Sequence, residues 1–310
     1  MSSPSNAVPQ SSFESQAIPT AVLLPTRPMY WSVVRELWEN RSIYVAPLIA
    51  AGVFLFGFVI SMVTLPRRMR EVLALPWPEQ HERLVQPYHF LAGLLMAVAF
   101  IVGVIYCLDA LHGERRDRSI LFWKSLPVSD FTTVLAKAAI PLVVLPLVTF
   151  VLTVATQFTM LILSSAVLAG SALPVARLWT ELSLLHNSFM LFYHLLTVHV
   201  LWHAPIYCWL LLVSAWARRA PFLWAFLPPF AIAVLEKVVF NSAHFARYLG
   251  YRFTGGMEAM PFGTGSSSMY AHSHLTPWRL LGSPGLWLGL VFGAACLEGA
   301  MRLRRYREPI

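Results

Sequence analysis

From Ala138 to Leu168 the chain carries no charged residue. A bilayer's hydrocarbon core is about 30 Å thick, or about 20 residues of helix at about 1.5 Å each. Backbone polar groups in lipid must bond within the protein, and a continuous apolar run satisfies that condition as a helix. Five further runs reach or approach the same length: Ser42 to Leu65, Leu84 to Leu108, Phe189 to Ala217, Pro221 to Phe240 and Leu280 to Leu297. Pro141 and Pro146 lie in the 138–168 run, which exceeds a perpendicular crossing, so a tilt, a kink or a protruding end is expected there. Only 12% of the residues are charged, against about 25% in a soluble domain. The fold class expected is therefore all-α, a polytopic membrane protein with six transmembrane helices.

The charges that remain gather at the ends of these runs. A formal net charge of +8 could suggest a nucleic-acid partner in a soluble protein. Here the basic residues read as membrane-flanking, and no nucleic-acid partner is expected. With the N-terminus inside, the cytoplasmic segments hold Arg27, Arg35 and Arg41, then Arg115, Arg116, Arg118, Lys124 and Lys137, then Arg218 and Arg219, and finally the tail arginines from Arg302 to Arg307. That excess places both termini in the cytoplasm. Cys107, Cys208 and Cys296 fall in separate apolar runs, with no metal-type spacing and no disulfide framework. Residues 1–26 read as a disordered tail before a membrane domain over 27–310. In "PMYWSVVRELWEN", residues 28–40, Trp31, Val34, Leu37 and Trp38 recur at helical spacing, with Arg35, Glu36 and Glu39 in other directions. That pattern suits an amphipathic helix in the membrane interface.

One charged stretch, "HGERRDRSILFWKSLPVSD" at 112–130, joins the second and third runs. Glu114, Arg115, Arg116, Asp117, Arg118 and Lys124 surround Ile120, Leu121, Phe122 and Trp123. A loop without a partner has no reason to present four large apolar side chains to water. Glu114 and Arg118, four residues apart, favour a helix, Pro127 ends it, and Ser129 with Asp130 can cap the next one. Arginine and aromatic residues dominate binding hot spots, so the segment reads as a docking helix over 114–126. Together with "VLAK" at 134–137 and "EKVVFNSAHF" at 236–245, it resembles the permease subunits of bacterial ATP-binding cassette (ABC) transporters of the type-2 exporter class. The resemblance implies a cytoplasmic coupling helix held by a separate ATP-binding subunit, and a second copy of the permease, or a related one, completing a dimer in the inner membrane. This chain has no Gly-x-x-x-x-Gly-Lys-Ser/Thr loop. ATP and Mg would then be bound by the partner, and the chain itself would not be catalytic.

Two other constellations carry weight. Glu236 and Lys237 are opposite charges inside an apolar run, either an outer gate or a structural anchor. His194, His199 and His203 lie in the fourth run. The last two share a helical face and the first does not, so no one helix offers three metal ligands. Two readings compete with export: a redox membrane anchor holding haem or metal through His199 or His203, and an ABC complex that transmits force without transport. No motif for hydrolytic or metal catalysis occurs.

Overall fold

The computed structural model describes residues 27–119, 122, 128–171, 175–254 and 281–306. Among these, the regular structure is helical and no strand occurs. Among the described residues six helices are long and apolar enough to cross a membrane: Ser42–Leu73, Trp77–Arg116, Asp130–Ala169, Leu178–Trp202, Pro221–Phe240 and Pro284–Tyr306. The chain is an all-α, multi-pass membrane protein, and these helices are spans one to six, with the shorter apolar helix Ala204–Trp216 counted as the continuation of span four.

Helix α1 (Pro28–Glu39) begins on a proline and precedes span one, which is built from α2 (Ser42–Ser61), a 3₁₀ turn and α3 (Leu65–Leu73). Span two is α4 (Trp77–Ala110), followed directly by the short α5 (His112–Arg116). It runs further at both ends than the apolar pattern of 84–108 predicts, because polar residues continue the helix outside the hydrocarbon. Span three comprises α6 (Asp130–Ala139) and α7 (Leu145–Ala169), joined by a π turn at Ile140–Val144. The break expected from Pro141 and Pro146 takes that form: Leu145 donates its amide to Ile140, one residue further back than in an α-helix. Pro146 has no amide to offer. The hydroxyls of Thr149, Thr153 and Thr156 bond carbonyls one turn back, which satisfies them without water.

After α8 (Val175–Glu181), α9 (Leu184–His194) passes into a π segment over Leu195–Trp202, and α10 (Ala204–Trp216) follows a single turn at His203. The apolar run 189–217 thus spans a break in mid-helix. Span five is α11 (Pro221–Phe240), within the bounds read from sequence. Ala220, in the left-handed region at φ 48°, turns the chain between α10 and α11. Between the fifth and sixth apolar runs lies a further helix, α12 (His244–Thr254), folded back onto spans four and six. Span six is α13 (Pro284–Tyr306).

One apolar core joins spans one to four through Ile43, Ala99, Cys107, Ile140, Leu145, Tyr207 and Leu211. A second, around Leu91, Leu95, Met160, Leu161 and Leu168, ties spans one, two and three to α8. Helices in lipid gain little from apolar contact alone, so close approach matters more. At Gly103 a Cβ would come within 2.8 Å of the Tyr207 ring, so the bare backbone is what lets spans two and four meet. Span five differs: Ala225 is buried, whereas Phe222, Leu227, Phe230 and Leu235 on its various faces are exposed. The three cysteines are all buried free thiols.

Candidate functional site: a buried charge cluster under the loop between spans two and three

Five elements, α1, α4, α5, α6 and α13, meet where the chain enters span one and leaves span six, the terminal side of the protein. Helix α1 lies across α6, because Ser32 and Glu36, one turn apart, face inward while Trp31 and Trp38 point away. The helix thus turns a carboxylate, rather than its tryptophans, towards the rest of the chain. Glu36 is 1% exposed. Its Oε1 lies 2.8 Å from Lys137 Nζ and 2.6 Å from Arg35 Nη2, and the Tyr106 hydroxyl donates to Oε2 at 2.7 Å. Burial alone would push this carboxyl up. The Lys137 ammonium and the Arg35 guanidinium outweigh it and hold the group at about 2, below its ordinary 4.5.

Lys137, 2% exposed, lies between two carboxylates, for Glu114 Oε1 sits 3.1 Å on its other side. Glu114 Oε2 accepts from Arg304 Nη1 at 2.7 Å, and Arg304 Nε donates to Asp130 at 2.9 Å. Arg35 closes the circuit at 3.4 Å from Glu114. Interleaved charges of both signs, each bonded at least once, are the arrangement in which ions tolerate burial. A small cavity lined by Leu111, Glu114, Arg115, Ala215 and Arg304 adjoins them.

The start of the predicted docking helix is fixed in this cluster. Arg115, 4% exposed, donates from Nη1 to the Ala215 carbonyl at 2.7 Å and to that of Ala217 at 3.3 Å. A cation there also complements the negative end of the α10 dipole. The amides of Leu111 and His112 donate to Ser214 Oγ at 3.1 and 2.9 Å, and His112 Nδ1 donates to the Ala217 carbonyl at 3.2 Å. Glu114 and Arg115, expected at a partner's surface, therefore face the interior of their own chain. Arg116, Asp117 and Arg118 are exposed, and Phe122 is 60% exposed. Ile120, Leu121, Trp123 and Lys124 lie outside the described residues. The expected i, i+4 pair of Glu114 with Arg118 does not form. The α5 helix ends at Arg116, Arg118 adopts a left-handed φ of 57°, and Glu114 is drawn to Lys137 and Arg304 instead. Ser129 caps α6 as expected, accepting the Thr132 amide, while Asp130 goes to Arg304.

Glu36, Tyr106, Lys137, Asp130 and Arg304 were not singled out from the sequence as one site. Lys137 could have been suspected, since it stands eight residues into a helix whose next charged residue is Arg177.

At the far side, Glu236 accepts from Ser242 Oγ at 2.6 Å and from the amides of His244 and Phe245, each at 2.7 Å. It caps the start of α12, and Lys237 bonds Asn241 Oδ1 at 3.0 Å. Of the two roles expected for this pair, the geometry is that of an anchor. His199 Nε2 and the Tyr207 hydroxyl share a hydrogen bond of 3.1 Å, and His203 Nε2 donates to the Phe253 carbonyl at 3.4 Å. Among the described residues no three histidine, cysteine or acidic side chains form a group that could hold a metal ion. Comparison with protein-family models, with curated proteins and with solved structures gives no match.

Proposed function

We propose that this chain is the membrane subunit of an ATP-driven exporter, working as a dimer and driven by a separate ATP-binding subunit that holds ATP and Mg. In this reading the terminal side faces the cytoplasm of a bacterial cell, and the chain is not itself catalytic. The loop at 112–130 and its resemblance to type-2 exporters of the ABC class motivate the proposal. The observation that carries it is the asymmetry of that loop. Arg116, Asp117, Arg118 and Phe122 are offered outward. Immediately beside them, Glu114 and Arg115 are bonded to α6, α10 and α13, and through Lys137 and Arg35 to α1. A push on Arg116, Asp117 or Arg118 would be delivered through these bonds to spans two, three, four and six together.

The test is purification of the tagged chain from its native membrane under mild detergent, with identification of what accompanies it. An ATP-binding protein should co-purify, and Phe122→Ala with Arg116→Ala should reduce its recovery while membrane insertion stays normal. Recovery unchanged by both substitutions would leave the loop a topology signal and remove the docking role.

A further inference from the structure

Arg252 is 4% exposed and lies on α12 against the far halves of spans four and six. From Trp216 back to Trp202 along α10 is about 21 Å, and from Arg304 back to Gly289 about 22 Å, at 1.5 Å per residue. Its bond to the Gly285 carbonyl lies about 28 Å from Arg304 on the same rise, so the guanidinium sits towards the far boundary of a hydrocarbon core about 30 Å thick. An ionisable side chain buried among spans is by default a functional-site candidate.

Its partners are all neutral. Nη1 donates to the Trp202 carbonyl at 3.4 Å, Nη2 to the Gly285 carbonyl, and Nε to the Tyr248 hydroxyl at 3.3 Å. The Trp202 carbonyl is open to it because the helix breaks there. The Ile206 amide bonds the His203 carbonyl instead, and Pro205 has no amide. The guanidinium carbon lies 4.5 Å from the Trp202 ring centroid. A side chain at Gly289 would collide with it, so that glycine lets the cation lie against span six. Among the described residues no carboxylate pairs with Arg252, and a guanidinium has two more N–H groups than these three bonds use. In the same layer Trp202 Nε1, a donor, and His203 Nδ1 are buried without a hydrogen-bond partner. The layer is bordered by exposed aromatic surface, for Tyr248 and Tyr251 are 46% and 47% exposed.

We propose that Arg252 and Trp202 form an intramembrane binding site for the oxyanion headgroup of an amphiphile that enters laterally from the bilayer. The uncompensated charge supplies attraction, the spare N–H groups supply hydrogen bonds, and the aromatic rim accepts the alkyl chain. The site does not depend on the exporter reading, since it needs no ATP-binding partner.

The purified full-length chain in neutral detergent, titrated and followed by native mass spectrometry, tests this. Four probes are used: oleate, oleyl alcohol, phosphatidic acid and diacylglycerol. Oleate should bind at least about tenfold more tightly than oleyl alcohol, or phosphatidic acid more tightly than diacylglycerol by the same factor, which is about 1.4 kcal/mol. Preference within the first pair alone identifies a free carboxylate, and within the second alone a lipid phosphate. Arg252→Gln should abolish the preference. Equal binding of charged and neutral probes to the wild type, or undiminished preference in Arg252→Gln, overturns the site. If Arg252→Gln fails to insert, Trp202→Phe decides, because it keeps an aromatic face beneath the guanidinium and removes the indole N–H along with part of the ring. Several-fold weaker binding of the charged probe with binding of its neutral partner unchanged supports the site, and unchanged preference refutes it.

Discussion

Lys137→Met removes the ammonium that lies 2.8 Å from Glu36 and 3.1 Å from Glu114. The side chain keeps its length, so what is lost is charge rather than volume. Glu36 retains Arg35 and Tyr106, and Glu114 retains Arg304 and a longer contact with Arg35 at 3.4 Å, but two carboxylates exposed by only 1% and 8% lose the ammonium that lies within 3.1 Å of both. Removing one partner of a buried pair costs about 3–5 kcal/mol, because the other is left buried and uncompensated. The Arg302–Glu298 pair, exposed by 73% and 51%, is the internal control. Exposed pairs at this spacing contribute about 0.3–0.5 kcal/mol, so Arg302→Ala should be nearly silent. The assay is equilibrium unfolding in mixed micelles with increasing denaturing detergent, followed by circular dichroism. Glu36→Met alone should also destabilise by several kcal/mol. The double variant should cost less than the sum of the two, with a coupling of about 2–3 kcal/mol. A Lys137→Met effect no larger than that of Arg302→Ala, or strict additivity in the double variant, would refute the reasoning about the cluster.

Acid should weaken the same contact. Because the Glu36 carboxyl is held at about 2 in the fold against 4.5 ordinarily, its contribution is complete above about pH 4.5 and lost as pH falls towards 2. Thermal unfolding should show a fall over that window that is smaller in Glu36→Met. Gly103→Ala would place a methyl group 2.8 Å from the fully buried Tyr207 ring, costing about 1–3 kcal/mol by overpacking. Gly52→Ala, with open space around it, should be neutral, and melting temperatures compare the two. Glu236→Ala removes the three bonds that hold the start of α12. Limited proteolysis should then cut faster near 241–254 while the spans stay protected, and unchanged cleavage would deny the anchoring role.

Periodicity and punctuation made much of the fold legible. Span five was read within its observed bounds because Ala220-Pro221 opens it and Asn241-Ser242 closes it. The Ser129 cap and the break at Pro141 were equally local, since each depends on residues within one turn. The charge cluster was not legible for the opposite reason. Lys137 and Glu36 are 101 residues apart, and Arg304 and Glu114 are 190 apart. A hydrophobic pattern shows which residues avoid water but not which distant charges will meet. Glu36 looked like part of a solvated face because its partner lies on another helix. Helix α12 was hidden because eleven residues containing Arg247 and Arg252 are too short and too polar to register as membrane-buried. The part of the loop most telling by composition, Ile120, Leu121 and Trp123, lies outside the described residues.

The most direct measurement of the proposed function is ATP hydrolysis in lipid nanodiscs. The chain alone should show none. The chain with the ATP-binding protein that co-purifies with it should hydrolyse ATP. Lys137→Met, assembled to the same extent, should alter the hydrolysis rate, because Glu114 would lose its direct bond to α6 and keep only the longer Arg35 contact to α1. An assembled complex whose hydrolysis ignores both Lys137→Met and Phe122→Ala, or a native preparation with no ATP-binding protein bound, would contradict the account.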